Sequence, residues 1–189
     1  MPDFLTTTSG RRIAYERTAG KGPGVVFLGG YKSDMTGTKA LYLQDWAQKA
    51  GRAFLRFDYS GHGQSSGDFA DGGIGDWAQD AMAALGALTV GPQVLVGSSM
   101  GGWISLLVAR AMPEKLAGLV TIAAAPDFTE DSMWAGFSAQ EREALDGAPV
   151  STTGDETILG FSPRQILIGI LVLATLLRVV YLISIQGNP

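Results

Sequence analysis

The chain has no cysteine and a single histidine among its 189 residues. Without thiols it forms no disulfide and no thiolate metal site, and one imidazole leaves a transition metal without its usual ligands. No motif implies a metal or an organic cofactor. Basic residues are also scarce: 14 Lys plus Arg stand against 18 Asp plus Glu, a net charge of −4. That balance excludes a broad cationic footprint, so nucleic acid is not an expected partner. The amino-terminal stretch MPDFLTTTSGRR lacks the apolar run behind a basic start that marks a secretory signal. No internal repeat or low-complexity tract is visible.

Apolar residues are what the chain has in excess, at 46% against 17% charged, and the surplus collects at the carboxyl end. Residues 166–185 read ILIGILVLATLLRVVYLISI, with Arg178 as their only charge. At about 1.5 Å per residue such a helix crosses a bilayer's hydrocarbon, so a single transmembrane helix is expected over 164–186. Arg178 opposes this, since an arginine at mid-span costs about 2.5–3.5 kcal/mol, but it sits past the middle and can snorkel beside Tyr181. The alternative is a buried core helix, which would need a large protein around it. Arg164 precedes the run and no basic residue follows it, which orients the remainder toward the cytoplasm. The expected location is the cytoplasmic face of a membrane, with a soluble cytoplasmic protein as the alternative. Asp155, Glu156, Arg164 and Arg178 cancel, so the net negative charge belongs to residues 1–150. Residues 147–163, small, turn-forming and acidic, read as a linker.

Before that linker the pattern alternates. Apolar, β-branched or aromatic runs at 12–18, 25–29, 53–59, 94–97 and 119–124 predict strands, the later ones buried on both faces. Helical spacing predicts helices over 38–50, 76–88 and 100–112, and Ser138-Ala139-Gln140-Glu141 opens a last short one over 138–146 with a capping-box pattern. This is an α/β fold with a mostly parallel sheet, right-handed crossovers and helices on both faces.

The chemistry concentrates in VLVGSSMGGW. Gly97-Ser98-Ser99-Met100-Gly101 matches G-x-S-x-G directly after a predicted strand and at the start of a predicted helix. Glycines fit there because side chains would collide with the adjoining strand and helix in so tight a turn. Ser99 is the candidate nucleophile; Ser98 occupies the variable position. Its hydroxyl would stand over a helix N-terminus, where free N–H groups favour developing negative charge, which makes Met100 N–H one candidate oxyanion donor. The turn after VVFLGG supplies the other: Gly29 and Gly30 let the backbone approach a ligand closely, and Tyr31 N–H is the candidate.

The segments VVFLGGYKSDMTGTKA, FLRFDYSGHGQSSGDF and VLVGSSMGGW stand in the order and spacing of the α/β-hydrolase superfamily, which residues 1–146 resemble. Within it the chain is similar to bacterial serine hydrolases related to the mitochondrial acyl-glucuronide esterase and palmitoyl-protein thioesterase, whose first loop has a comparable G-Y-x-S-x-M-x-G-T-K-A. The resemblance implies hydrolysis of a small acyl ester or thioester through an acyl-serine on Ser99.

The departures shape the expectation further. In the family the acid and histidine follow on later loops, whereas here linker and apolar run take that place, so the expected domain over 1–146 is a truncated α/β-hydrolase fold. No histidine follows His62. His62 is the only candidate base, in a segment resembling the family's D-x-x-G-x-G-x-S turn, where histidine packs and hydrogen-bonds. Asp127, after the strand LVTIAA, is the candidate acid, or else caps a strand end. Asp34, Asp58 and Asp68 read as turn-fixing residues. The leading expectation is therefore a serine hydrolase impaired by an incomplete triad. Its rival is a catalytically silent fragment, tethered to the bilayer through 166–185 and acting by interaction, and a third reading has a partner chain supply acid and base.

Overall fold

The computed structural model describes residues 1–126. The helix expected over 138–146, the linker 147–163, the apolar run 166–185 and Asp127 lie outside the described residues. Among the described residues no helix is long and apolar enough to cross a membrane.

Within the described residues six strands and three α-helices follow one another as β1 (Asp3–Thr6), β2 (Arg12–Thr18), β3 (Lys21–Leu28), α1 (Thr38–Lys49), β4 (Arg52–Phe57), α2 (Ile74–Leu88), β5 (Gln93–Ser98), α3 (Met100–Ala111) and β6 (Leu116–Ile122). They form one sheet in the order β1-β2-β4-β3-β5-β6. The pairs β4–β3, β3–β5 and β5–β6 are parallel, and β1–β2 and β2–β4 are antiparallel. The alternating pattern thus yields the expected mostly parallel sheet.

Strand β1 is absent from the sequence reading. DFLT is four residues long and mostly exposed, too short and too wet to show a period of two. Its registration comes from β2, with Phe4 opposite Ala14, and the Arg12 guanidinium lies 4.3 Å from the Phe4 ring centre. Boundaries also move. Strand β4 ends at Phe57 rather than 59, because Asp58 and the residues after it turn back over the sheet edge.

Burial on both sheet faces explains the unbroken apolar run of β3. Val26 and Leu28 point into one cluster with Leu55, Phe57, Leu95, the α2 residues Trp77, Ala81 and Leu85, and the α3 residues Met100, Ile104 and Val108. Val25 and Phe27 point the other way, against Ala40 and Ala47 of α1, Phe54 and Val96. Helices α2 and α3 therefore cover one face and α1 the other. Strand β6 pairs with β5 alone among the described residues, and Leu119 and Val120 are exposed along it.

Two ion pairs, each with one buried member, tie the periphery to this core. Asp80 of α2 is fully buried and accepts from Arg11 Nε at 2.8 Å, Ser60 N–H at 2.9 Å and the Ser60 hydroxyl at 2.6 Å. Arg56, on the α1 face of β4, pairs with Glu16 of β2 and donates Nε–H to Gln44 of α1 at 2.6 Å. Removing one member of such a pair strands a buried charge. Arg11→Ala is expected to lower stability by about 3 kcal/mol, the low end for a broken buried pair because Asp80 keeps its two Ser60 bonds. Urea unfolding of the variant checks this; a loss below about 1 kcal/mol would refute it.

Candidate active site

The chain leaves β3 and β5, neighbours in the sheet, toward helices on opposite faces: α1 from β3, and α3 from β5. A crevice opens where such connections diverge, at the carboxyl ends of the strands. Residues 29–37 form one side of it and Ser98–Ser99 the other. Contact between the two sides is close, since a methyl built on Gly30 would lie 3.4 Å from both Ser98 O and Ser99 Cβ.

Ser99 bridges β5 and α3 with φ 55° and ψ −120°, a left-sided conformation that costs a non-glycine residue about 1–3 kcal/mol. Neighbouring structure holds it there. Ser99 N–H donates to Ile122 O of β6 at 2.9 Å, while Ser99 O accepts from Gly102 N–H at 2.8 Å and Ala125 N–H at 3.3 Å. The flanking glycines are required by contact as the sequence pattern suggested. A methyl on Gly97 would strike Gly101 O, and one on Gly101 would strike Leu28 O. Gly102, which lies outside the five-residue motif, is constrained as well: its methyl would lie 2.6 Å from Ala124 Cβ.

The bend leaves Ser99 partly exposed. Met100, fully buried, occupies the first helical position, where an N–H has no intrahelical acceptor. Tyr31 sits directly after Gly30 on the facing loop. Its exposed ring meets Phe69 edge-on at 5.0 Å and Trp77 at 6.1 Å. Ser99, Met100 and the Gly30–Tyr31 turn are thus brought together.

His62 makes no hydrogen bond to Ser99 through either ring nitrogen. It is buried, its Nδ1 lies 3.1 Å from Ser60 O, and its ring packs edge-on against Tyr59, Phe69 and Trp77 at 5.0–5.6 Å. The bond to a carbonyl places the proton on Nδ1, and Nε2 has no partner in this aromatic surround. The three other aspartates fix turns. Asp34 accepts from Thr36 N–H at 2.7 Å and from its hydroxyl, bonds that lower its pKa, and Asp68 accepts from Ala70 N–H at 3.0 Å. Asp58, buried, accepts from Met35 N–H at 2.6 Å and Gln64 N–H at 2.9 Å. Burial raises the Asp58 pKa, against those two bonds, with Asp34 raising it further and His62 opposing. Sequence reasoning missed Arg56, Met35 and Asp80 as supports of these loops. A lone arginine inside the apolar run AFLRF was the one available signal.

Among the described residues no cluster of acidic or imidazole groups could hold a metal ion.

A serine held at a strained strand-to-helix bend, over the carboxyl edge of a parallel sheet flanked by helices, defines an α/β-hydrolase. The family model described as serine aminopeptidase, S33 matches residues 24–145, and the chain belongs to that family. Over 124 residues it is 47% identical to the mitochondrial palmitoyl-protein thioesterase ABHD10 of Rattus norvegicus, covering 66% of this chain and 42% of the relative. For the Homo sapiens protein of that name the figures are 44% identity, 66% and 40%. The chain therefore spans about two fifths of the length of the curated relatives it matches. Among solved structures, mouse α/β hydrolase domain-containing protein 10 superposes with a TM-score of 0.71 at 38% identity, over 77% of this chain and 58% of that one. A putative hydrolase from Agrobacterium vitis S4 gives 0.72 at 40%, over 78% and 61%.

Two outcomes test the site's construction. Gly101→Ala should cost about 3 kcal/mol in urea unfolding, because the methyl meets backbone on a neighbouring strand and nothing flexible can yield; unchanged stability would refute the packing argument. Asp58→Asn tests the sign of a pKa shift. A carboxyl whose folded pKa is raised stabilises fully below its usual value of 3.8, and that contribution is lost as pH climbs through the raised value. Asparagine does not titrate. The variant's stability relative to the unsubstituted chain should therefore increase across that window, read from unfolding midpoints at a series of pH values, and a difference independent of pH would overturn the assignment.

Proposed function

We propose that the chain is a serine hydrolase of acyl esters or thioesters working through an acyl-serine on Ser99. The observation that carries the reading is the positive φ of Ser99 combined with its partial exposure at the bend between β5 and α3. Strain of this kind persists only where the surroundings enforce it, and here it lifts a nucleophile clear of the sheet. The relatives named as palmitoyl-protein thioesterases support the acyl-thioester class.

In this reading Ser99 Oγ attacks the carbonyl carbon. The carbonyl oxygen takes the electron pair and accepts from Met100 N–H and Tyr31 N–H. The thiolate or alkoxide then leaves, and water hydrolyses the acyl-serine. Two amide donors placed for the tetrahedral oxygen are worth about 10²–10³-fold each in comparable enzymes. The Ser99 proton needs a base, for which Asp127 and His62 are the chain's own candidates as acid and base. The His62 Nδ1 bond is to Ser60 O and its Nε2 has no hydrogen-bond partner among the described residues, so neither ring nitrogen holds Ser99. Activity is therefore expected to fall short of a full triad, in the range where oxyanion stabilisation and binding alone still give about 10³–10⁴-fold over water.

The same observation on His62 favours a second reading, a silent fragment, and the apolar run 166–185 is what would attach it to the cytoplasmic face of a bilayer. A fluorophosphonate probe separates the two. Labelling of Ser99 in the 189-residue chain, abolished by Ser99→Ala, is expected for the hydrolase; absence of label at any pH between 6 and 9, roughly the range in which an imidazole base is free, would sink it. Attachment is read separately: the chain should stay with membranes through alkaline carbonate washing, and release into the wash would refute the bilayer assignment.

A further inference from the structure

We propose that Arg56 and Asp58 are positioning residues, clamping the loop 29–37 from the end of β4 so that Tyr31 N–H faces the oxyanion formed at Ser99. The inference rests on the serine-hydrolase reading and on Tyr31 as a donor.

Both backbone polar groups of Met35 are taken by β4-edge side chains two positions apart. Asp58 Oδ1 accepts from Met35 N–H at 2.6 Å, and Arg56 Nη1 donates to Met35 O at 2.7 Å. The Met35 side chain is itself buried. Each clamping group is anchored in turn. Arg56 is held by Glu16 of β2 and Gln44 of α1, and Gln44 donates to Thr18 Oγ1 at 3.2 Å. Asp58 Oδ2 accepts from Gln64 N–H at 2.9 Å, and Gly63 lies so close that a methyl there would overlap the carboxylate. Gly63 has φ 49°, so the second loop bends to leave room for this group.

From Met35 the constraint runs back along the loop. Asp34 O accepts from Gly37 N–H at 3.3 Å, closing one turn. Gly30 O accepts from Ser33 N–H at 3.2 Å and the Ser33 hydroxyl at 2.7 Å, closing another. The second turn contains Tyr31 and abuts Ser99 through Gly30. Two closed turns in series leave the clamp at Met35 as the fixed point against which the donor is placed. A donor displaced by about 1 Å loses most of its value to a transition state.

Amide hydrogen exchange and fluorophosphonate labelling, measured on the same samples of the full chain, test the proposal. Asp58→Ala should speed exchange in peptides covering 29–37 while peptides of β3, β5 and α3 keep their protection. Labelling of Ser99 should fall on the order of tenfold to a hundredfold, less than the loss of a donor outright. Asp58→Asn, which keeps an acceptor oxygen, should restore part of both and guards against a misfolded alanine variant. Exchange that rises together in 29–37, β5 and α3 would make Asp58 merely structural and overturn the proposal. So would a loosened loop with unchanged labelling, or a loop whose exchange does not change. An unsubstituted chain that takes no label overturns the hydrolase reading instead, a failure distinct from an unloosened loop.

Discussion

The bend at Ser99 is the constraint on which the rest of the described structure depends. Holding a serine at φ 55° costs free energy, and the chain offsets this by bonding Ser99 N–H to Ile122 O and Ser99 O to two further amides. Those bonds need β6 in register beside β5 and α3 starting at Met100. The glycines at 97, 101 and 102 are the steric counterpart, each occupying a place where a methyl would meet backbone or Ala124. The tightness of the bend thus dictates the distance between sheet and helix, and that distance excludes side chains.

The loop opposite Ser99 is built on a different principle. It has no strained nucleophile to support and instead must lie still while containing several small or polar residues. Buried charge supplies the rigidity. Asp58 and Arg56 hold Met35, while Asp80, itself paired with Arg11, holds Ser60, so each of the two loops at the carboxyl edge is tied down by a carboxylate inside the fold. An apolar contact could not do this, because it has no preferred direction; a carboxylate facing two amides fixes both.

Legibility in the sequence follows the range of the interactions. The elbow was readable because five adjacent residues carry both its chemistry and its sterics. Strands β3 and β5 are readable because burial on both sheet faces leaves an unbroken apolar run, and the helices because burial on one face imposes a local period. The supports of the site were not. Arg56 meets Met35 across 21 positions and Arg11 meets Asp80 across 69, and no local pattern announces either. Strand β1 was hidden because its order comes from β2 rather than from its own four residues. His62 lies among Tyr59, Phe69 and Trp77, three rings that no local pattern around position 62 announces as its neighbours.

The stitching of residues 58–66 onto β2 bears on the order of events during folding. Arg12 N–H donates to Ser66 Oγ across 54 positions and Ala14 N–H to Ser65 Oγ across 51, while the Ser99 bend joins elements that are consecutive in the chain. Loop-closure entropy penalises the distant pairings first and rewards them last. In a complete chain that refolds, the short-range β5–α3 corner is thereby favoured to assemble ahead of the rim that faces it, and the nucleophile's corner would stand before its cleft is finished.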